Sequence, residues 1–162
     1  MTWVNEIRKS ISIHSKAFAM YNGIPFYTSL GSSPTIMFEP YNNNQLHGNF
    51  LPSTYEAIRN NTSWSKRLGK SHPKQNCLPT IPGYVPKELD SSNSSDALLM
   101  NIFCYPQIQQ FPAVFRLFGL KAYVNPNYGV KGNVPFADGK RDASAIDLVL
   151  DDILIEAKLT EE

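Results

Sequence analysis

Two carboxylates and a lysine near the end of the chain have the spacing expected of a metal-assisted hydrolytic site. Asp147 lies in the β-rich run SAIDLVL, and Glu156 and Lys158 lie in the next run, ILIEAKLT, with only Asp151 and Asp152 between the two. Two such runs separated by two residues predict a β-hairpin. A two-residue turn at this point would place Asp147 directly opposite Glu156, with Cβ atoms about 4.5 to 5.5 Å apart.

The opposed carboxylates call for a cation. Side chains alternate along a strand, so Glu156 and Lys158 share one face. Two directly opposed carboxylates repel each other, and a hard divalent cation removes that repulsion. Magnesium usually takes one or two carboxylates from a protein and keeps water and phosphate oxygens for its other positions. We therefore predict a Mg²⁺ site, with Mn²⁺ as the alternative ion, at Asp147 and Glu156. Lys158 would activate an attacking water or stabilise charge that grows on a phosphate oxygen.

The same hairpin allows two alternatives. Asp147 and Lys158 would form an ordinary salt bridge if this face of the sheet were simply solvated, and Glu156 would then point into water. The Asp-Asp turn also has no Gly or Asn. A register slip of one residue would therefore separate the two carboxylates across the sheet.

The elements that must position the hairpin begin after residue 90. Ser94 or Ser95 is the predicted N-cap of a helix over residues 95–104, with Asp96 in its first turn, where a negative charge favours the helix dipole. The predicted buried stripe of this helix is Leu98, Leu99, Ile102 and Phe103. A second helix is predicted over residues 107–118 with Gly119 as its C-terminal cap, followed by a strand near residues 121–130.

The first ninety residues are rich in Pro, Gly, Asn and Ser and show no sustained period. This composition predicts a loop-rich N-terminal region with short helices. One helix is predicted in LPSTYEAIRNN, capped by Ser53 or Thr54. Residues 1–90 and residues 91–162 are expected to pack as one domain, because 162 residues would make two domains small.

A basic segment, residues 59–74, follows that predicted helix. It has no acidic residue, and its candidate nucleic-acid-binding residues are Arg59, Lys66, Arg67, Lys70, His72 and Lys74. Such a run is the best candidate in the chain for a phosphate-facing surface, although a solvated loop would have the same composition. Trp64, inside the segment, either stacks on a base or anchors the segment to the core, and core anchoring is the favoured prediction.

Charge and composition narrow the class of protein. The net charge is only +1, so bulk charge gives no argument for a polyanion-binding protein. Cys77 and Cys104 are the two cysteines and have no partner at metal-ligand spacing, which favours a reducing compartment. No apolar run approaches eighteen residues, and the N-terminus does not have the pattern of a signal peptide. We therefore predict a soluble, cytoplasmic protein.

The hairpin resembles a known group of nucleases. Asp147, then Glu156-Ala157-Lys158 preceded by Ile153-Leu154-Ile155, is similar to the signature of the PD-(D/E)xK nuclease superfamily, whose fold is restriction-endonuclease-like. The resemblance covers roughly residues 88–160. The segment from Trp64 to His72 and the SSDALLMNIF run also resemble a bacterial branch of restriction-endonuclease-like proteins of poorly defined role.

The resemblance implies a fold and an activity. The fold would be of the α+β class, with an α/β core in which a helix is followed by a three-stranded antiparallel meander. The activity would be Mg²⁺-dependent cleavage of DNA, with Asp147 and Glu156 as metal ligands and Lys158 as the catalytic lysine. A helix carboxylate often joins such sites, and Glu88 is the first candidate here and Asp96 the second.

The chain departs from the family pattern in one respect. Family members continue after the ExK strand with a crossover helix and a further strand, whereas this sequence stops four residues after Lys158. Three explanations stay open: a truncated or disrupted gene product, a fragment of a longer protein, or a fold that another chain completes. An exposed edge and face of the sheet would favour self-association. The alternative function is a catalytically incomplete nucleic-acid-binding or interaction module, and a third possibility is a protein–protein module whose acidic hairpin binds no metal.

Overall fold

Helices and small antiparallel sheets make up the fold, which confirms the predicted α+β class. The structure is a computed structural model that describes residues 3–30, 34–72, 76, 78–135, 137–142 and 144–159. The helices are α1 (Trp3–Asn22), α2 (Pro52–Asn60), α3 (Thr62–Leu68), α4 (Ser95–Phe103) and α5 (Pro112–Arg116), with short 3-10 turns at Glu88–Asp90 and Ile108–Gln110. The strands are β1 (Phe26–Thr28), β2 (Ile36–Phe38), β3 (Pro40–Tyr41), β4 (Leu46–His47), β5 (Asn127–Lys131), β6 (Val134–Pro135), β7 (Arg141–Asp142), β8 (Ala145–Leu150) and β9 (Ile153–Ile155).

The three-stranded sheet has the order β5-β8-β9, and both of its pairings are antiparallel. In the β8–β9 hairpin Leu150 pairs with Ile153 and Leu148 pairs with Ile155, so the predicted register is confirmed and no slip occurs. Asp151 adopts a left-handed conformation with φ of 57°. Asp tolerates this region better than most residues, which explains how a turn without Gly or Asn forms here.

The predicted meander is interrupted by a small hairpin. The expected strand near residues 121–130 begins later, at Asn127, and ends at Lys131. The paired strands β6 and β7 then stand between β5 and β8. The three strands of the sheet still follow each other in the expected antiparallel order.

Helix α4 matches its predicted position, and Ser94 is its N-cap, because the Ser94 hydroxyl accepts the N–H of Ala97 at 3.1 Å. The predicted buried stripe is only half right. Leu99 and Phe103 pack with Leu148 of β8, but Leu98 is 48% exposed and Ile102 is also exposed. The reason is that α4 has a second buried side, on which Ala97 and Met100 pack against residues of α2 and α3.

The predicted helix over residues 107–118 is broken in two. A 3-10 turn over Ile108–Gln110 precedes α5, and Pro112 occupies the first turn of α5, where its missing N–H costs no hydrogen bond. Gly119 ends this region as expected: its φ is 75°, and Leu120 N–H donates to the carbonyl of Phe115 at 3.1 Å.

The N-terminal half contains more helix than its composition predicted. Helix α1 has 20 residues, so the expectation of short helices only is wrong, and only Ala19 of this helix is buried. Helix α2 begins after Leu51 with no side-chain cap, so the predicted caps Ser53 and Thr54 are also wrong. Among the described helices, none combines the length and the apolar character that crossing a membrane requires.

Candidate active site

The hairpin brings the predicted catalytic residues together. Continuing the β8–β9 register one step beyond Leu148 and Ile155 places Glu156 opposite Asp147. Strand β9 ends at Ile155, so the ladder itself does not hold Glu156. Instead, Asp147 Oδ2 accepts a hydrogen bond from the backbone N–H of Ala157 at 3.0 Å. This bond fixes the Glu-Ala-Lys segment against the strand that carries Asp147.

Lys158 lies beside Glu156. The Lys158 Nζ atom is 2.7 Å from Glu156 Oε1, and the two side chains are 58% and 55% exposed. Leu154, Glu156 and Lys158 are exposed, whereas the residues between them are half-buried, as strand alternation predicted. The predicted alternative was a salt bridge between Lys158 and Asp147. The structure instead has an ion pair between Lys158 and Glu156.

Negative charge accumulates around Asp147. Burial raises the pKa of Asp147 above its ordinary value, and the nearby carboxylates of Asp96 and Glu156 raise it further. The hydrogen bond from Ala157 and the positive charge of Lys158 act in the opposite direction. A cation placed beside these groups would stabilise the ionised form of each carboxylate.

A second group of charges lies next to this site and joins α3 to α4. Arg67 Nη2 donates to Asp96 Oδ2, and Lys70 Nζ is 3.3 Å from the same oxygen. Lys70 also bonds to the carboxylate of Glu88 at 2.9 Å. Asp96 is only 1% exposed and Arg67 is also buried. Burial raises the pKa of Glu88, and the bond from Lys70 opposes that effect.

The two candidate helix carboxylates therefore have different positions. Asp96 is bonded to Arg67 and Lys70, so it does more than complement the helix dipole, and its charge also raises the pKa of Asp147. Glu88 lies in a 3-10 turn and is bonded to Lys70. In the described ranges, no group of three or more His, Cys, Asp and Glu side chains is placed to hold a metal ion. Glu88 is thus not gathered with Asp147 and Glu156 into a three-ligand set.

The basic segment is not one continuous exposed surface. Arg59 and Lys66 are exposed, Lys70 and His72 are half-buried, and Arg67 is buried against Asp96. Lys74 lies outside the described residues, as does Cys77. Trp64 is buried, and its indole N–H donates to the carbonyl of Pro126 at 2.9 Å. The anchoring role predicted for Trp64 is therefore confirmed.

Gly129 is a site residue that the sequence analysis missed. It lies in β5, and the β5–β8 register places it opposite Asp147. A Cβ atom at this position would come within 2.5 Å of Arg67 Nη1. An isolated glycine inside a strand indicates a bulge or a close approach of another group, so the sequence did contain a signal. By contrast, the spacing of Arg67 and Asp96 in the sequence does not predict that they form an ion pair.

Comparison with known proteins identifies a family for this chain. Residues 19–162 match the family described as restriction endonuclease associating with ARP. No curated protein and no solved structure matches the chain. The match includes the basic segment, the Arg67–Asp96 pair and the whole hairpin, and it supports the predicted relation to restriction endonucleases at the level of the family. Because it spans well over half of the sequence, the chain belongs to this restriction-endonuclease-related family.

Proposed function

We propose that this protein is a Mg²⁺-dependent deoxyribonuclease of the PD-(D/E)xK type that hydrolyses DNA phosphodiester bonds at Asp147, Glu156 and Lys158. The observation that carries the proposal is the bond from Ala157 N–H to Asp147, which holds the Glu-Ala-Lys segment beside the Asp147 strand. Membership of a restriction-endonuclease-related family supports the same reaction class.

The donor atoms of the site suit magnesium. Asp147 and Glu156 supply two carboxylates, the number that Mg²⁺ usually takes from protein, and its remaining positions suit water and phosphate oxygens. Asp96 is bonded to Arg67 and Lys70, and its charge raises the pKa of Asp147, so it would act on the site through charge and not as a third ligand. Bound at this site, the ion would polarise the phosphodiester and lower the pKa of a water molecule.

The chain's own residues have separable tasks in this reaction. Asp147 is oriented by the bond from Ala157 N–H to its Oδ2 atom, and the other oxygen, Oδ1, would bind the ion. Glu156 holds the Lys158 ammonium at 2.7 Å, on the exposed face where a phosphate would arrive. The ammonium group of Lys158 would stabilise the negative charge that develops on the phosphate oxygens during attack.

DNA would bind to the molecule through exposed cations of the basic segment. Among the described residues of this segment Arg59 and Lys66 are exposed cations, and the Arg59 guanidinium lies over the ring of Tyr55, 5.8 Å from its centroid. Such side chains bind the phosphate backbone without sequence preference, and their contribution weakens as salt rises. The family description also names association with ARP, and we extend that association to this chain as a proposal.

A plasmid-nicking assay with matched lysine variants tests the reaction. Lys158→Ala should abolish nicking in Mg²⁺ or Mn²⁺ while the protein still folds. Lys140→Ala is the control, because Lys140 is also an exposed lysine paired with a carboxylate two positions earlier, Asp138, at 3.3 Å. Equal nicking by the Lys158→Ala variant and the wild type would overturn the proposed mechanism.

A nucleic-acid-binding module that does not cut DNA is the second candidate. The observation that favours it is that Arg59 and Lys66 of the basic segment are exposed and could bind phosphates without any metal ion. This function requires DNA binding in EDTA that weakens steeply with salt, and no nicking with any divalent ion. Nicking that depends on Asp147 would exclude it.

A further inference from the structure

We propose that Arg67 is a positioning residue for the candidate site: seated on Gly129 and bonded to Asp96, it fixes the part of β5 that pairs with the Asp147 strand. This inference rests on the proposed function, because that function identifies Asp147 as a catalytic residue. The contacts of Arg67 with Gly129 and Asp96 do not depend on it. It also assigns Arg67 a role different from the phosphate contact that the composition of the basic segment suggested.

The guanidinium of Arg67 packs directly against Gly129. A Cβ atom at Gly129 would lie 2.5 Å from Arg67 Nη1 and 3.3 Å from Arg67 Cζ, so the guanidinium occupies the space that any other residue would fill. Gly129 also has a φ of 64°, a conformation that favours glycine. Two separate requirements therefore select glycine at this point of β5.

Helix α3 contacts β5 and the residue before it at two points. Trp64, one turn before Arg67, bonds to the carbonyl of Pro126, immediately before β5. Arg67 then covers Gly129 in the middle of the strand. The opposite end of the guanidinium bonds to Asp96 at the start of α4. One side chain thus joins α3, α4 and β5.

The contact between Arg67 and Gly129 lies next to the candidate site. The β5–β8 pairing continues through Tyr128 with Leu148 and through Val130 with Ile146, which places Gly129 opposite Asp147. Directly opposed residues in an antiparallel pair lie about 4.5 to 5.5 Å apart. A shift of β5 at Gly129 would therefore move the strand segment that carries Asp147.

The burial of Arg67 separates this role from DNA binding. The side chain of Arg67 is 11% exposed, and the side chain of its partner Asp96 is 2% exposed. A phosphate could reach the guanidinium only by displacing Asp96 and leaving that buried carboxylate with a single cation, Lys70. Lys66, the preceding residue, is exposed and offers its charge without any such exchange.

The experiment compares four variants of the full chain. Arg67→Met removes the positive charge and the guanidinium donors. Gly129→Ala places a Cβ atom in the space that the guanidinium occupies, without changing the charge. Lys66→Met is the control for charge in the same helix. Gly23→Ala is the control for backbone conformation, because Gly23 also has a φ of 64° but nothing lies within 4 Å of its Cβ position.

Three measurements decide the outcome: amide hydrogen exchange in β8 of the metal-free protein, the salt dependence of DNA binding in EDTA, and kcat against KM for nicking. Arg67→Met and Gly129→Ala should each raise exchange over residues 145–150, and should lower kcat by roughly tenfold to a hundredfold with little change in KM. Their salt slopes should equal that of the wild type. Lys66→Met should reduce the salt slope by about one and leave β8 exchange unchanged.

The inference is overturned if Arg67→Met reduces the salt slope by about one and leaves β8 exchange as in the wild type, since Arg67 would then be a phosphate contact. It is also overturned if Gly23→Ala disturbs β8 as much as Gly129→Ala does. If Arg67→Met fails to fold, the comparison of Gly129→Ala with Gly23→Ala decides alone. A wild type that never nicks DNA would end the proposed function, while exchange and salt slope would still decide the role of Arg67.

Discussion

Replacing Trp64 with Phe distinguishes a core anchor from a side chain that stacks on a base. Trp64 is 9% exposed, packs in the cluster that includes Ile58 and Met100, and donates its indole N–H to the carbonyl of Pro126 at 2.9 Å. Phe keeps an aromatic ring at this position but has no donor. The Pro126 carbonyl would then lose its side-chain partner inside a buried region.

The expected loss of stability follows from these contacts. Leaving a buried acceptor unsatisfied costs about 1 to 3 kcal/mol. The smaller ring leaves a gap worth about 1 kcal/mol more. The sum is about 2 to 4 kcal/mol, and at about 2 to 4 °C per kcal/mol for a chain of this size the Tm should fall by roughly 5 to 15 °C.

Thermal and urea unfolding in EDTA, with DNA binding measured on the same samples, provide the test. Trp3→Phe is the matched control, because Trp3 is 74% exposed and its replacement should leave the Tm unchanged. The emission of the Trp3→Phe variant should then report Trp64 alone and indicate a buried indole. A Trp64→Phe variant that melts like the wild type but binds DNA more weakly would refute the anchoring role.

Three further predictions concern pH, packing and thiol reactivity. Burial raises the pKa of Glu88 and of Asp147 above their ordinary values of 4.5 and 3.8. The folded protein therefore retains protons that the unfolded chain releases. The free energy of unfolding of the metal-free protein should fall as the pH rises from these ordinary pKa values through the raised pKa values of the folded state. Urea midpoints against pH should show this slope, and Glu88→Gln or Asp147→Asn should flatten it; an unchanged slope in both variants would contradict the assignment. Leu99→Ala should cost about 2 to 5 kcal/mol in urea unfolding, whereas Leu98→Ala, at a half-exposed position, should cost under about 1 kcal/mol; equal losses would show that the sides of α4 are misassigned. Burial raises the pKa of Cys104 to about 12, so in a variant without the other cysteine, alkylation followed by mass spectrometry should be very slow at pH 8 in the native protein and fast in urea; rapid native labelling would contradict the buried placement.

The parts of the site that the sequence predicted are those set by local spacing. The two-residue separation of the runs determines the β8–β9 register, and continuing this register by one step places Glu156 opposite Asp147. The hydrogen bond from Ala157 to Asp147 then holds that segment in place. The cap at Ser94 is equally local, because the hydroxyl bonds to an N–H three residues ahead. Patterns of this kind depend on a few neighbouring residues and therefore survive into the folded chain.

The parts that the sequence did not predict depend on distant contacts. Arg67 and Asp96 are 29 positions apart, and nothing in their spacing indicates that one neutralises the other. Leu98 was predicted as buried because hydrophobic periodicity gives one apolar face, whereas α4 is covered on two sides by clusters that meet only in the folded state. The length of α1 was missed because the prediction used the composition of residues 1–90 as a whole, whereas every Pro and Gly of that region lies after α1. Within α1, Val4, Ile7, Ile11 and Ala19 do recur at helical spacing.

A thermal melt tests most directly the central claim, that Asp147 and Glu156 form a divalent-cation site. The metal-free protein is melted with and without Mg²⁺ or Mn²⁺, each added at several times the concentration that half-saturates binding. A ligand that binds only the folded state raises the Tm. We predict a rise for the wild type and for Asp152→Asn, an exposed carboxylate in the same hairpin turn, and no rise for Asp147→Asn. An equal rise in the Asp147→Asn variant, or none in the wild type, would contradict the claim.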